Sequence, residues 1–366
     1  MCRFNFEPRL GRTRMDSVAA HVAHIRHLAR PSALQAFLRQ EHRMAGKQAR
    51  KLALQVAPFL DQALVFHDTS RTASLRVRSV LQYYAYLNLA VALILIYQPR
   101  GWERYRKHGV EDRTRSLKRV TLSSPVIRVR EGALTLFHAI ISRGTIPSSP
   151  LRLTDLLVPI PMVSAELGHV FDVRPHGLGV IGKVKLMGEA PNQVAASCFS
   201  FSIEDLENPG RPESARISFP LRRLYTAIPD LRSHYRPVQT RGSTRNFVSR
   251  QTWTVGNRER AEQFHDRMAL RFINFGGQAV GDEGQPFYRW YFTDRYLLPT
   301  LTAGLLLSFF LASLSRYRAN LLEAVETSRI NLLCEVFANE ADGFMIPAMR
   351  NLLYAETMLI SQTAAT

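Results

Sequence analysis

The sequence predicts an α+β fold in which helical N-terminal and C-terminal regions flank an antiparallel β meander. Three observations carry that prediction. Apolar residues recur at three- and four-residue spacing up to about residue 96, the pattern shifts to alternation from about 165, and a twenty-residue uncharged run, 296–315, opens a second helical stretch. At 366 residues there is ample length for a sizeable core.

Each element has a local reason. Over 32–66 Leu34, Phe37 and Leu38, then Leu52, Leu54, Val56, Phe59, Leu60 and Leu64 recur mostly at three- or four-residue spacing, the mark of an amphipathic helix. A longer helix is expected over 74–96, stopped by Gln98-Pro99-Arg100-Gly101. Val126, Ile127 and Val129 suggest a short strand, and helices are expected over 133–142 and 151–157. Strands are read at 169–173, 179–186, 194–203, 215–219, 246–255 and 287–292, with Gly276-Gly277-Gln278-Ala279-Val280-Gly281 as a turn between hairpin strands. Helices return at 297–315, 317–338 and 343–362. The resulting organisation is a basic N-terminal extension over 1–30 in which disorder is an expectation, a helical region 31–164, an antiparallel β region 165–293, and C-terminal helices 294–366 packing on the N-terminal ones.

Charge bounds the partners. Lys and Arg number 48 against 30 acids, a formal +18, and only six of the 48 are Lys. Such an excess attracts polyanions, although a GC-rich genome would raise Arg with no ligand involved. Basic residues crowd 1–51, 101–130 and 211–250, whereas 317–366 is mildly acidic. Three scattered cysteines make no disulfide framework and fit a reducing, cytoplasmic setting. The run 296–315 has the length of a membrane span, but Pro299, Thr300, Thr302, Gly304 and Ser308 dilute it, so stable membrane insertion is not expected.

Four segments stand out: Arg78-Ser79-Val80-Leu81-Gln82-Tyr83-Tyr84 and its continuation to Ala92, Gly132-Ala133-Leu134-Thr135-Leu136-Phe137, Leu153-Thr154-Asp155-Leu156-Leu157-Val158-Pro159-Ile160-Pro161, and Leu311 to Arg318. Together they resemble the YaaC-like family of bacterial proteins, whose biochemical activity is not established. The resemblance covers roughly 30–360 and implies a fold rather than a reaction.

For chemistry, Arg104, Arg106, Lys107 and His108 gather basic groups around Trp102 and Tyr105, a composition able to hold phosphates and stack a base. The competing reading is a solvated loop in which Gly109 takes positive φ and His108 caps a helix. Arg78, Asn88 and Arg316 adjoin the two most apolar helices and would line one pocket if those helices pack; each Arg there needs a polar partner. The Tyr83-Tyr84 helix followed by His108 is also similar to small helical HEPN domains, many of which cleave RNA with an Arg and a His. Their Arg-to-His spacing occurs at Arg260 to His265, Arg258 to His265 and Arg14 to His21, no more than the roughly four pairs that composition alone supplies. His21, His24 and His27 share a helix face without nearby cysteine and with no acid in the pattern other than Asp16, so no metal site and no cofactor is expected. The leading function is non-catalytic binding of a polyanion, RNA or DNA before nucleotide; the alternative is a HEPN-like ribonuclease or toxin-type enzyme with a site near His108 or His265, and a weaker one is a membrane-associated protein.

Overall fold

The computed structural model describes residues 18–104, 107–171, 173, 176–189, 192–204, 221–238, 244–274, 278–280, 287–292 and 295–353. The chain opens with helices α1 (Val18–Leu28), α2 (Pro31–Gln40), α3 (Gly46–Ser70), α4 (Leu75–Tyr97) and α5 (Pro99–Arg104). A small sheet and three helices follow: β1 (Val110–Asp112), β2 (Pro125–Val129), α6 (Ala133–Ser142), β3 (Leu151–Arg152), α7 (Leu153–Leu157) and α8 (Pro161–Phe171). The β-rich part holds β4 (His176–Met187), β5 (Val194–Glu204), α9 (Leu221–Ala227), α10 (Pro229–His234), β6 (Tyr235–Val238), β7 (Thr244–Ser249), β8 (Trp253–Thr254), α11 (Arg258–Asn274), β9 (Gln278–Val280) and β10 (Phe287–Phe292). Helices α12 (Thr300–Tyr317), α13 (Ala319–Glu326) and α14 (Ile330–Leu353) complete it. The class is therefore α+β, helical at both ends with antiparallel sheets between.

Helix α4 is the centre of the helical body. It is apolar on nearly every side, as a helix surrounded by others must be, and α3, α12, α14 and α6 all pack on it. One polar row breaks that surface. Residues four apart on a helix share a face, and the Arg78, Gln82, Tyr86 row spends its hydrogen bonds on α14. Arg78 Nη1 donates to Asn339 Oδ1 at 2.8 Å, Gln82 Nε2 to the Ala338 carbonyl at 2.8 Å, and the Tyr86 hydroxyl to Asp342 Oδ1. Near the end of α4 the Tyr97 hydroxyl donates to the Leu352 carbonyl at 2.7 Å. Partner numbers broadly rise together along both helices, so α4 and α14 run parallel. Both α4 and α12 are long and apolar enough to cross a membrane, and both are mostly buried against protein here, 83% and 78% of their most apolar windows.

The larger sheet has the order β6-β7-β5-β4-β10-β9, with β8 also on β5, and all its pairings are antiparallel. Chain-consecutive strands pair at β4–β5, β6–β7 and β9–β10, whereas β7 crosses to pair with β5 and β10 returns to pair beside β4. Helix α11 packs on β4 and β5.

Several expectations change. Residues 18–28, assigned to the N-terminal extension, form α1 and bury His21, Val22, Ile25 and Leu28. The single helix over 32–66 is two, because Arg43 turns to φ 50° before α3 restarts at Gly46. Of the strand expected at 169–173, residues 169–171 are instead the last turn of α8, whose Val163 and Leu167 lie one turn apart on its buried face. The turn read at 276–281 includes strand β9, paired to β10, and the strand expected at 215–219 lies outside the described residues.

Candidate functional site

The site starts from two glycines. Gly109 sits at φ 75°, the left-handed region open to glycine, and its backbone presses on Gly132. A Cβ added at Gly132 would stand 2.5 Å from Gly109 Cα and 2.6 Å from the Lys107 carbonyl oxygen. This close crossing lets the 107–109 backbone serve as the N-terminal cap of α6. The amides of Ala133 and Leu134 donate to the carbonyls of Lys107 (2.7 Å) and His108 (3.1 Å), and the Arg130 amide to that of Gly109 (2.9 Å). The expected positive φ at Gly109 is present, and His108 caps the helix through its main chain, leaving the ring free for other contacts.

That ring reaches back to α4. The Tyr83 hydroxyl and His108 Nδ1 are 2.8 Å apart. His108 is otherwise exposed, so one edge of the imidazole is fixed and the other faces solvent. Burial lowers its pKa, and the nearby Arg316 guanidinium lowers it further, so the ring is neutral at pH 7. Burial raises the Tyr83 phenol well above its ordinary value, keeping it a neutral partner. Its ring is braced edge-on by Phe309 at 5.5 Å.

Arg316, in the last turn of α12, completes the cluster. Its Nη1 donates to the Tyr84 hydroxyl at 2.7 Å and its Nη2 to the Tyr317 hydroxyl. The guanidinium carbon lies 5.6 Å from the Tyr84 ring centre and 4.5 Å from that of Tyr317, and Phe66 stacks behind Tyr84 at 5.4 Å. Among the described residues Arg316 forms no ion pair. Its neighbour Arg318 turns the other way, toward Asp112 at 3.9 Å. Asp112 accepts from Ser313 Oγ at 2.7 Å and from the amide and hydroxyl of Thr114, which fastens β1 to the end of α12.

The structure thus brings His108 and Arg316 together, with exposed Lys107 adjoining. Arg78 is elsewhere, bonded to α14. Asn88 is buried and donates from Nδ2 to the Tyr84 carbonyl one turn back, at 2.7 Å. The backbone of Arg104 ends α5; its side chain, and Arg106 and Tyr105 altogether, lie outside the described residues. Sequence reasoning did not include Tyr83, Tyr84 and Tyr317 among the site residues, although two adjacent phenols inside an apolar helix and an Arg-Tyr pair at the end of another were visible signals.

Four other histidines, His265, His138, His24 and His21, have structural surroundings. His265 is buried between α11 and the sheet: Nδ1 lies 2.9 Å from Ser197 Oγ, Phe199 stacks on the ring at 4.6 Å, and burial drives its pKa down to about 4. Ser197, fully buried and also bonded to the Tyr235 hydroxyl at 2.8 Å, has no solvent-facing reaction partner. His138 bridges Thr302 and Ser142 inside the helical core. His24 Nδ1 is 3.0 Å from Arg350 Nη2, and His21 is buried beside them. Among the described residues no group of three His, Cys, Asp or Glu is placed to hold a metal.

The family model described as YaaC-like Protein matches residues 26–333, which includes every element of the cluster. The chain belongs to the YaaC-like family. No curated protein and no solved structure matches it. Within the YaaC-like chain, the segments that carried the resemblance now have physical roles. Residues 78–92 present Arg78, Gln82 and Tyr86 to α14 and Tyr83 and Tyr84 to the cluster; Gly132 seats the 107–109 loop, and 311–318 ends on Arg316 and Tyr317.

Proposed function

We propose that this YaaC-like protein is a non-catalytic polyanion-binding protein of the cytoplasm, with nucleic acid as the main partner, and that the Arg316 cluster is its anchoring point. The observation that carries the reading is the state of Arg316: an exposed guanidinium held in place by two phenol hydroxyls, with no carboxylate among the described residues consuming its charge. Hydroxyl and ring contacts fix its direction without neutralising it, so a phosphate oxygen can take its place as counter-ion. His108 offers a further ring nitrogen on the same face, and Lys107 an exposed cation. By contrast, Arg113 and Arg130 share Glu111, Arg76 is paired with Glu326 and Arg295 with Asp155. The formal +18 adds long-range attraction. Filter binding of RNA and DNA to the purified chain at about 50 mM salt tests this directly; no retention of either removes the reading.

A second reading, ribonuclease activity, is favoured by one specific observation. A neutral His108 beside an Arg matches the chemical need of 2′-hydroxyl cleavage, with the imidazole to move the proton and the guanidinium to bear phosphate charge. The two groups arrive here from separate segments rather than one helix. Degradation of RNA by the wild-type protein, lost in His108→Ala with the fold retained, would place the enzyme above the binder; we expect no degradation by either.

A further inference from the structure

We propose that the Arg316 face takes single-stranded nucleic acid, with a phosphate on the guanidinium and an unpaired base on the ring of Tyr317. The inference rests on the polyanion reading above and narrows it to a substrate class. Eight large apolar side chains of the described residues are exposed; seven are aliphatic, and Tyr317 is the only aromatic among them, at 60% exposure. It is not a stray surface ring. It ends α12 directly beside the one cation of the cluster, and its hydroxyl is tied to Arg316 Nη2 while the guanidinium lies 4.5 Å from its ring centre. That contact orients the ring while most of its surface stays open. Behind it, Arg316 is bonded to Tyr84, which Phe66 stacks upon, so the platform is backed by the packed faces of α3 and α4.

An exposed aromatic next to an arginine is the pairing that single strands require, since each unpaired base presents a π-face and each linkage a phosphate. A base inside a duplex is already stacked on both sides and gains nothing from Tyr317. A polyanion without bases gains only from the cation. The chemistry therefore ranks ligands: single strand first, duplex and inorganic polyphosphate after it. The Tyr317 ring reads no base edge, so the preference should tolerate any sequence.

The test uses the full chain and fluorescence anisotropy at about 50 mM salt. The ligands are a labelled single-stranded oligouridine, a single-stranded oligothymidine, the blunt-ended duplex of the same length, and inorganic polyphosphate as competitor. Single strands should bind more tightly than duplex. Tyr317→Ala should weaken them about 5- to 150-fold and polyphosphate competition by clearly less, and Tyr317→Phe, which keeps the ring but not the hydroxyl on Arg316, should restore most of the affinity. A thermal melt of each variant checks that the fold is intact. Equal or tighter duplex binding, or a Tyr317→Ala loss that is absent or the same for polyphosphate, overturns the single-strand assignment alone. If neither nucleic acid nor polyphosphate binds the wild type, the polyanion reading falls and takes this one with it.

Discussion

Gly109 and Gly132 cross so closely that no side chain fits between them: a Cβ on Gly132 would lie 2.5 Å from both the Cα and the nitrogen of Gly109. All of those atoms are backbone, so nothing flexible can step aside. Gly132→Ala must push the 107–109 loop off the start of α6 and loosen the three amide hydrogen bonds that hold it. The expected cost is about 1–3 kcal/mol, read as a melting temperature lowered by several degrees. Because His108 rides on that loop, polyanion affinity should fall as well. A Gly132→Ala protein that melts and binds like wild type would show that the crossing is looser than it stands here.

Arg78 tests the α4–α14 seam. Its Nε is buried without a hydrogen-bond partner while Nη1 holds Asn339 at 2.8 Å and Nη2 lies 3.5 Å from the Ala73 carbonyl. Removing the side chain leaves the Asn339 carbonyl without its donor and takes a long aliphatic stem out of the seam. Arg78→Ala is expected to destabilise by about 1–2 kcal/mol with little change in polyanion affinity. Calorimetry and anisotropy on one preparation check both halves; a binding defect larger than the stability defect would return Arg78 to the anion site.

These two residues show what could be read in the sequence. The class and the extents of α4 and α12 follow from apolar period and from stop residues such as Pro99, whereas the importance of 78–92 comes from the family resemblance. The pairing of Arg78 with Asn339 is separated by 261 positions, and no periodicity reports such a distance. The β region suffered most. Helices α9, α10 and α11 interrupt it, and α11 reads as polar in sequence although Ala261, His265 and Met268 are buried among its described side chains. In the site, His108 and Arg316 stood out by type, whereas the phenols that hold them looked like core. Tyr83 is in fact both, with a buried ring and a hydroxyl used by the site.

Three buried histidines predict acid sensitivity. His21, His138 and His265 are each driven down to about 4, chiefly by burial. Unfolded, each would take a proton near pH 6.5, the ordinary imidazole value. Between pH 6.5 and 4 the unfolded chain therefore binds more protons than the folded one, so stability is complete above that window and drops as pH falls through it. Each histidine can contribute on the order of 3 kcal/mol to that loss. Denaturant titrations at steps across the window should show it, and replacing His138 by Gln should flatten the slope. A chain equally stable at both ends of the window would contradict the burial of these rings.

Arg316 separates binding from folding. With no ion pair among the described residues, its removal strands no buried charge there, and Arg316→Ala should change stability by no more than about 0.5 kcal/mol. Its effect belongs to the ligand. A guanidinium that meets a phosphate releases a condensed counterion, so deleting it should lower the slope of log affinity against log salt by about 1. Arg130→Ala is the matched control, because Arg130 already donates to Glu111 at 2.9 Å and carries less uncompensated charge. Affinities measured between about 50 and 200 mM salt give both slopes. The anchoring role requires a reduced slope in Arg316→Ala and a near wild-type slope in Arg130→Ala. Equal slopes in the two variants would mean that the whole basic surface, rather than this cluster, holds the polyanion.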